Sequence, residues 1–142
     1  MSCKIDLRGF PRIWEDILST IYVAGPMRGI PDFNFPAFDE AARKLRELGW
    51  TVFSPADNDR ANGFDPVGMG YTGYEHPAGF DLCAALKWDL CKVLEVDAIY
   101  LLPGWLGSRG AQAEYHTALA AGKDVYTFLE GYPAPHHEEV FA

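Results

Sequence analysis

Two carboxylates fall at helical positions that the surrounding pattern assigns to the protein interior. Asp89 lies on the apolar stripe of one predicted helix, and Glu114 lies on the apolar stripe of the next. The stripes are formed by Leu82, Leu86, Leu90 and Val93 in the first helix and by Ala111, Tyr115, Ala118 and Leu119 in the second. A carboxylate in apolar surroundings is unfavourable unless it is hydrogen-bonded, paired or protonated, and proteins keep such groups most often where they react. Two carboxyl groups in differing environments can act as acid, base or nucleophile at a glycosidic bond. The alternative is that each residue lies at the edge of its stripe and reaches solvent, which is a weaker explanation for two residues than for one.

Two further segments carry groups that bind anions. Ser108 is a predicted N-cap, and the amides of Arg109 and Gly110 follow it where a helix N-terminus binds an anion. Arg28 lies in the loop Gly25-Pro26-Met27-Arg28-Gly29, where a fixed guanidinium would bind phosphate. The alternatives are an ordinary helix cap at Ser108 and an exposed turn arginine at Arg28.

Several common sites lack their sequence patterns. The four histidines show neither HExxH nor paired CxxC spacing, so we expect no metal ion, and nothing in the chain calls for a cofactor. The loop at Arg28 is not a Walker A loop, because no GKS or GKT follows, and it is not a GxGxxG loop. No GxSxG elbow indicates a serine hydrolase.

Composition limits the class of protein. The chain has 142 residues, which fits one domain, and its net charge of −8 argues against non-specific binding to nucleic acid polymers or anionic membranes. No apolar run is long enough to span a bilayer, and the first residues lack the apolar region of a secretory signal. The three cysteines form no CxxC pair, which indicates reduced thiols and a cytoplasmic location.

The elements that must position these groups alternate along the chain. Strands are predicted at residues 20–24, 50–53, 97–102 and 124–128, and helices are predicted from Asn34 to Gly49, at 80–94 and at 108–121. This alternation predicts a three-layer α/β fold, a parallel sheet of four to five strands with helices on both faces, flavodoxin-like or Rossmann-like. Residues 1–19 are expected to form an N-terminal arm, residues 20–130 the domain, and residues 131–142 a C-terminal tail.

Ligands of such sheets bind beyond the carboxyl ends of the strands, near the point where the strand order reverses. The loops after the first three strands are therefore the informative ones. The loop after the second strand, residues 55–79, is long and contains Phe64, Tyr71 and Tyr74, which favours a lid or a pocket wall. Surface packing or a contact between subunits is the alternative.

With these residues in place, the chain resembles the nucleoside 2-deoxyribosyltransferase-like superfamily, which includes the 2′-deoxynucleoside 5′-phosphate N-hydrolases and small phage-type relatives. The matching pieces are Tyr22-Val23-Ala24-Gly25-Pro26, Arg28-Gly29, Asp89 eight residues before Asp97, and Ser108-x-Gly110-x-x-x-Glu114. The resemblance runs from about residue 21 to residue 125.

The resemblance implies a role for each position. Glu114 is implied to be the nucleophile that attacks the anomeric carbon, Asp89 the acid for the departing base or the group that orients the sugar, and Tyr22 the residue that holds Glu114. In the transferases an acidic residue stands where Ser108 stands here, so a neutral serine implies a 5′-phosphate on the substrate. Trp105 is implied to lie beside the sugar, and the Arg28 loop, with Gly25, Met27 and Gly29, is implied to line the site.

The resulting hypothesis is an N-glycosidase that acts on a (deoxy)nucleoside 5′-monophosphate, with no nucleic acid polymer or membrane as partner. A deoxyribosyltransferase is one alternative, a nucleotide-binding or sensing protein without turnover is a second, and a flavodoxin-like module with neither property is a third. The resemblance also implies a homo-oligomer, in which residues 55–79 or the C-terminal tail complete a neighbouring pocket.

Overall fold

Four strands form one parallel sheet in the computed structural model, which describes residues 19–135. They are β1 (Thr20–Ala24), β2 (Thr51–Phe53), β3 (Ala98–Leu101) and β4 (Asp124–Thr127), in the spatial order β2-β1-β3-β4. This arrangement confirms the predicted α/β fold with its parallel sheet. The predicted N-terminal arm, except for its last residue, and most of the predicted tail lie outside the described residues.

Helices cover both faces of the sheet. They are α1 (Phe35–Glu47), α2 (Pro55–Ala61), α3 (Leu82–Glu95) and α4 (Arg109–Ala120). Because successive residues of a strand point to opposite faces, β1 contributes to two cores. Ile21 packs in the core that contains Phe38 of α1, whereas Tyr22 packs in the core that contains Val93 of α3 and Ala118 of α4. In residues 19–135 no helix is long and apolar enough to cross a membrane.

The strand order reverses at β1, which pairs with β2 on one side and with β3 on the other. The loops that follow β1 and β3 therefore begin side by side at the carboxyl ends of these strands. Gly25 and Leu102 are the first residues of the two loops. They can lie this close because Gly25 has no Cβ, which would be 2.7 Å from the Cβ of Leu102. This point, where ligands of open parallel sheets bind, is where the candidate site lies.

The stretch 55–79, expected to be a loop, begins instead with the short helix α2. Ser54 is its N-cap and accepts a hydrogen bond from the amide of Ala56, and Pro55 occupies the first turn. Arg60 then joins α2 to α1 through a bidentate ion pair with Asp39, at 2.7 Å for both bonds. The expectation of a continuous loop was wrong because seven mostly polar residues carry no apolar period, and these tertiary contacts stabilise the helix.

The apolar stripes of α3 and α4 are narrower than predicted. Of the four residues expected to form the stripe of α3, Val93 is buried, whereas Leu82, at the start of the helix, is 71% exposed. In α4, Leu119 is 49% exposed, while Ala111, Glu114 and Ala118 are buried. The first half of α3 lies beside a cavity instead of a packed core, so its apolar residues gain less burial than the period alone predicts.

A left-handed turn precedes α1. Asp32, Phe33 and Asn34 all have positive φ, between 52° and 63°. Asn34 occupies the predicted N-cap position, but its side chain donates a 2.8 Å hydrogen bond to the carbonyl of Pro26 and caps nothing. Each left-handed residue other than glycine costs roughly 1–2 kcal/mol, so this turn is held by its surroundings, where Phe33 is buried in the wall of the cavity.

Candidate active site

A cavity of about 400 Å³ opens at the carboxyl ends of β1 and β3. This volume lies within the range of small-molecule binding sites. It brings together seven of the residues predicted from sequence. These are Gly25, Met27, Arg28, Asp89, Ser108, Gly110 and Glu114. Most of the remaining wall is apolar and includes five phenylalanines, Phe33, Phe35, Phe38, Phe64 and Phe80.

Glu114 is the deepest charged group of the cavity. It is only 4% exposed, and its Oε2 accepts a 2.6 Å hydrogen bond from the hydroxyl of the fully buried Tyr22. Burial and the nearby charge of Asp89 raise the pKa of Glu114 well above its usual value, whereas the Tyr22 hydrogen bond opposes that shift. Burial and the charges of Glu114 and Asp89 raise the pKa of Tyr22, so this phenol stays a neutral donor. Tyr22 thus fixes one oxygen of Glu114 and favours its ionised form.

Asp89 is the second acidic group and comes from α3. Burial, followed by the charge of Asp59, raises the pKa of Asp89 to about 7. Its charge in turn raises the pKa of Glu114, so the two carboxyls titrate as a pair. Near neutral pH the pair therefore holds at least one proton, which makes one acid and one carboxylate available together.

The N-terminus of α4 forms the polar end of the cavity. The Oγ of Ser108 accepts a 3.1 Å hydrogen bond from the amide of Ala111, so Ser108 is the N-cap and its hydroxyl proton is free to be donated. A Cβ on Gly110 would meet nothing closer than that Oγ, at 4.0 Å, which leaves open space above the first turn. These first-turn amides can therefore approach an anion.

Arg28 lines the cavity but also ties down a second loop. Its guanidinium donates to the carbonyls of Tyr74 and Glu75 and lies 3.0 Å from Nε2 of His76. The amide of Gly29 donates a 2.9 Å hydrogen bond to the carbonyl of Gly73 in the same loop. Because a guanidinium has five N–H groups, Arg28 can hold this loop and still donate to an anion.

Two residues expected to contact the substrate do not line this cavity. Gly29 packs under Tyr74, whose hydroxyl would lie 3.1 Å from an added Cβ. Trp105 packs against Tyr115, with ring centroids 4.8 Å apart, at the edge of the core beneath α4. Tyr22 does not line the cavity either, but it interacts with both of the cavity's acidic groups, Glu114 and Asp89.

A family model described as "Domain of unknown function (DUF4406)" matches residues 19–127. The chain belongs to this family. The match contains every element of the sheet and every candidate residue of the cavity, so the site is part of the DUF4406 domain itself.

The fold of this DUF4406 protein has a relative among solved structures. A 2-desoxiribosyltransferase from Leishmania mexicana is similar with a TM-score of 0.54 and 19% sequence identity, over 87% of this chain and 79% of that one. At this identity the similarity shows a shared nucleoside 2-deoxyribosyltransferase-like fold. No curated protein matches the sequence.

The DUF4406 chain also contributes residues to the cavity that sequence reasoning missed. Asp59 and His76 both line it, and both lie within residues 55–79. The available signal for Asp59 was Ser54-Pro55, an N-cap followed by a first-turn proline, which predicts a helix start. Phe64 and Tyr71 from the same stretch pack on Phe33 at 5.7 Å each, so this part of the chain builds a cavity wall.

The described residues offer no metal centre. Between residues 19 and 135 no group of three or more His, Cys, Asp or Glu side chains is arranged to hold an ion.

Proposed function

We propose that this DUF4406 protein cleaves the N-glycosidic bond of a (deoxy)nucleoside 5′-monophosphate, with Glu114 as the nucleophile. The observation that carries the proposal is the 2.6 Å hydrogen bond between Tyr22 and Glu114 at the floor of a cavity that Asp89 also lines. Two buried carboxyl groups that share a proton near neutral pH, one of them held by a neutral phenol, have the composition of a retaining glycosidase site.

The reaction uses both carboxyls of the pair. The Glu114 carboxylate attacks the anomeric carbon, the C–N bond breaks, and Asp89 gives its proton to the departing base. The product is a glycosyl ester on Glu114 with an ionised Asp89. Water then attacks the ester, Asp89 takes up its proton, and Glu114 leaves as a carboxylate, which restores the starting state.

The opposite end of the cavity supports a phosphate on the substrate. Ser108 and the free amides of α4 face the same space as Arg28 and His76. A carboxylate at position 108 would repel a phosphate, whereas a hydroxyl can donate to it. This end also explains why a net acidic chain can accept an anionic ligand.

A base-release assay tests the proposal. The protein is incubated with a panel of nucleosides and nucleoside monophosphates, and chromatography detects free base. Glu114→Ala is compared with Glu40→Ala, which removes an exposed glutamate of α1 that pairs with Arg43 outside the cavity. We expect release by the unmodified protein and by Glu40→Ala, and loss of at least about 1000-fold in Glu114→Ala. Absence of release from every substrate, or equal release by both variants, would refute catalysis.

A transferase is the second candidate, supported by the fold shared with an enzyme described as a 2-desoxiribosyltransferase. In that case a second base takes the place of water at the glycosyl ester. Adding an excess of a different free base to the assay separates the two reactions. A new nucleotide indicates transfer, and unchanged production of sugar phosphate indicates hydrolysis. Binding without release of base would indicate the nucleotide-sensing alternative.

We also propose that the protein is a homo-oligomer. Phe80 and Leu82 line the cavity and are nevertheless 46% and 71% exposed, so the mouth of the site carries apolar surface that a second subunit would cover. Sedimentation equilibrium measures the assembly. Leu82→Glu should favour the monomer, and a protein that is monomeric at micromolar concentration would contradict this proposal.

A further inference from the structure

Asp59 is a third carboxyl group in the cavity, and it comes from α2 instead of α3 or α4. It is partly buried, and burial raises the pKa of Asp59 to about 6. Its neighbour Arg60 pairs with Asp39, Asp57 and Asp65. No group in residues 19–135 donates a hydrogen bond to the Asp59 side chain or pairs with it. A half-buried carboxyl that faces a cavity without a donor from the described residues is free to accept a hydrogen bond from a ligand.

The surroundings of Asp59 describe the part of the ligand that reaches it. Phe35, Phe64 and Phe80 line the same cavity, and aromatic walls favour a flat ring. A second cavity, of about 650 Å³, shares Asp59, Phe64 and Phe80 with the first, so Asp59 lies at the boundary between the two cavities. Given Glu114 at the sugar carbon, a ring bonded to that carbon would present its outer edge to this boundary.

We propose that Asp59 binds the nucleobase of the substrate by accepting a hydrogen bond from an exocyclic amino group. The inference rests on the proposed function, because Glu114 defines which end of the ligand is the sugar. It makes Asp59 a specificity-determining residue and names the substrate class as amino-bearing bases, such as adenine, cytosine or guanine.

The chemistry of a carboxyl group selects an amino group over an oxo group. A carboxyl keeps at least one acceptor oxygen in both of its protonation states, so it can accept from an N–H₂ group throughout the neutral range. An oxo group in the same place would bring its oxygen against an ionised Asp59, which is repulsive. A base without the amino group would cover the half-buried carboxyl and leave it without a donor, and this loss reduces binding more than the loss of contact area.

A matched pair of ligands isolates the amino group. Dissociation constants are measured by calorimetry for 2′-deoxyadenosine 5′-monophosphate and for its analogue with unsubstituted purine, using Glu114→Gln to prevent turnover. We expect the adenine ligand to bind about tenfold tighter or more. Asp59→Leu should reduce this ratio to about two or less by weakening the adenine ligand, and Asp59→Asn, which keeps an acceptor oxygen, should retain most of it.

The control is Asp57→Asn, which changes an acid of the same helix that pairs with Arg46 and Arg60. Asp57→Asn should leave the ratio of the two dissociation constants unchanged.

Three results would overturn the inference: equal affinity for the two ligands in Glu114→Gln, an equal loss of affinity for both in Asp59→Leu, or no binding of either ligand. If Glu114→Gln does not fold, the KM values of the unmodified protein for the two ligands give the same comparison. Discrimination without any release of base by the unmodified protein would refute the proposed function and leave the role of Asp59 standing. Release of base without discrimination between the two ligands would refute the role of Asp59 and leave the proposed function standing.

Discussion

Tyr22 of β1 donates a 2.6 Å hydrogen bond to Oε2 of Glu114 in α4, and so joins two buried groups that are 92 residues apart in the chain. Tyr22 pairs with Phe53 of β2 and Ile99 of β3, so the phenol is fixed by the centre of the sheet. The most buried acidic group of the described residues is thereby positioned by a strand that is paired on both sides.

Removing this hydroxyl should affect both stability and activity. In Tyr22→Phe the buried Glu114 loses its donor, and we expect a loss of about 1–3 kcal/mol in the free energy of unfolding at pH 7. The pKa of Glu114 should rise further, since the hydrogen bond that lowers it is gone. The acidic limb of the kcat/KM profile should therefore move to higher pH. Urea unfolding and pH-dependent kinetics measure the two effects, and an unmoved acidic limb would contradict the role assigned to Tyr22.

The carboxyl pair predicts the shape of the pH profile. Burial raises the pKa values of both Asp89 and Glu114, and that of Asp89 reaches about 7. Below this pH both groups carry protons and no nucleophile is present, so kcat/KM should rise as pH increases through about 7. At higher pH the second proton is lost and activity should fall. Asp89→Asn should lower the maximum and remove the alkaline fall, and a profile that is flat from pH 5 to 9 would argue against the pair.

Close packing at the strand-order reversal gives a third prediction. A Cβ at Gly25 would lie 2.7 Å from that of Leu102, so Gly25→Ala must displace the loop that carries Arg28. We expect destabilisation of about 1–3 kcal/mol and a raised KM. Gly107→Ala is the control, because nothing lies within 4 Å of its added Cβ. Thermal unfolding should give a lower melting temperature for Gly25→Ala than for Gly107→Ala. Equal melting temperatures would contradict the close packing inferred at Gly25.

The N-terminus of α4 gives a prediction about the substrate's phosphate. Ser108→Asp keeps a good helix cap and adds a negative charge at the anion-binding end. We expect the KM for a monophosphate to rise by about tenfold or more, while the KM for the corresponding nucleoside changes by less than about threefold. Both KM values are obtained from initial rates of base release. An equal increase for the two substrates would show that no phosphate lies at Ser108.

Sequence reasoning found what short-range periodicity encodes. The 3.6-residue period put Glu114 on the inward face of α4, and alternating strands and helices led to the parallel sheet. It missed α2 with Asp59 because this helix carries no apolar period, and the ion pair that joins it to α1, between Arg60 and Asp39, links residues far apart in the chain. It missed the left-handed turn at Phe33 because no glycine marks it. The exposure of Leu82 could not be predicted either, since the period shows a face but not whether that face meets a core or a cavity.

The most direct test of the account is the capture of the glycosyl ester on Glu114. The protein is mixed with a deoxynucleoside 5′-monophosphate that it cleaves, quenched in acid within milliseconds, and digested for peptide mass spectrometry. We expect a deoxyribose-phosphate adduct on the peptide that contains Glu114, absent in Glu114→Gln and present in Glu40→Gln. Release of base with the adduct on another residue, or with continued turnover in Glu114→Gln, would contradict it.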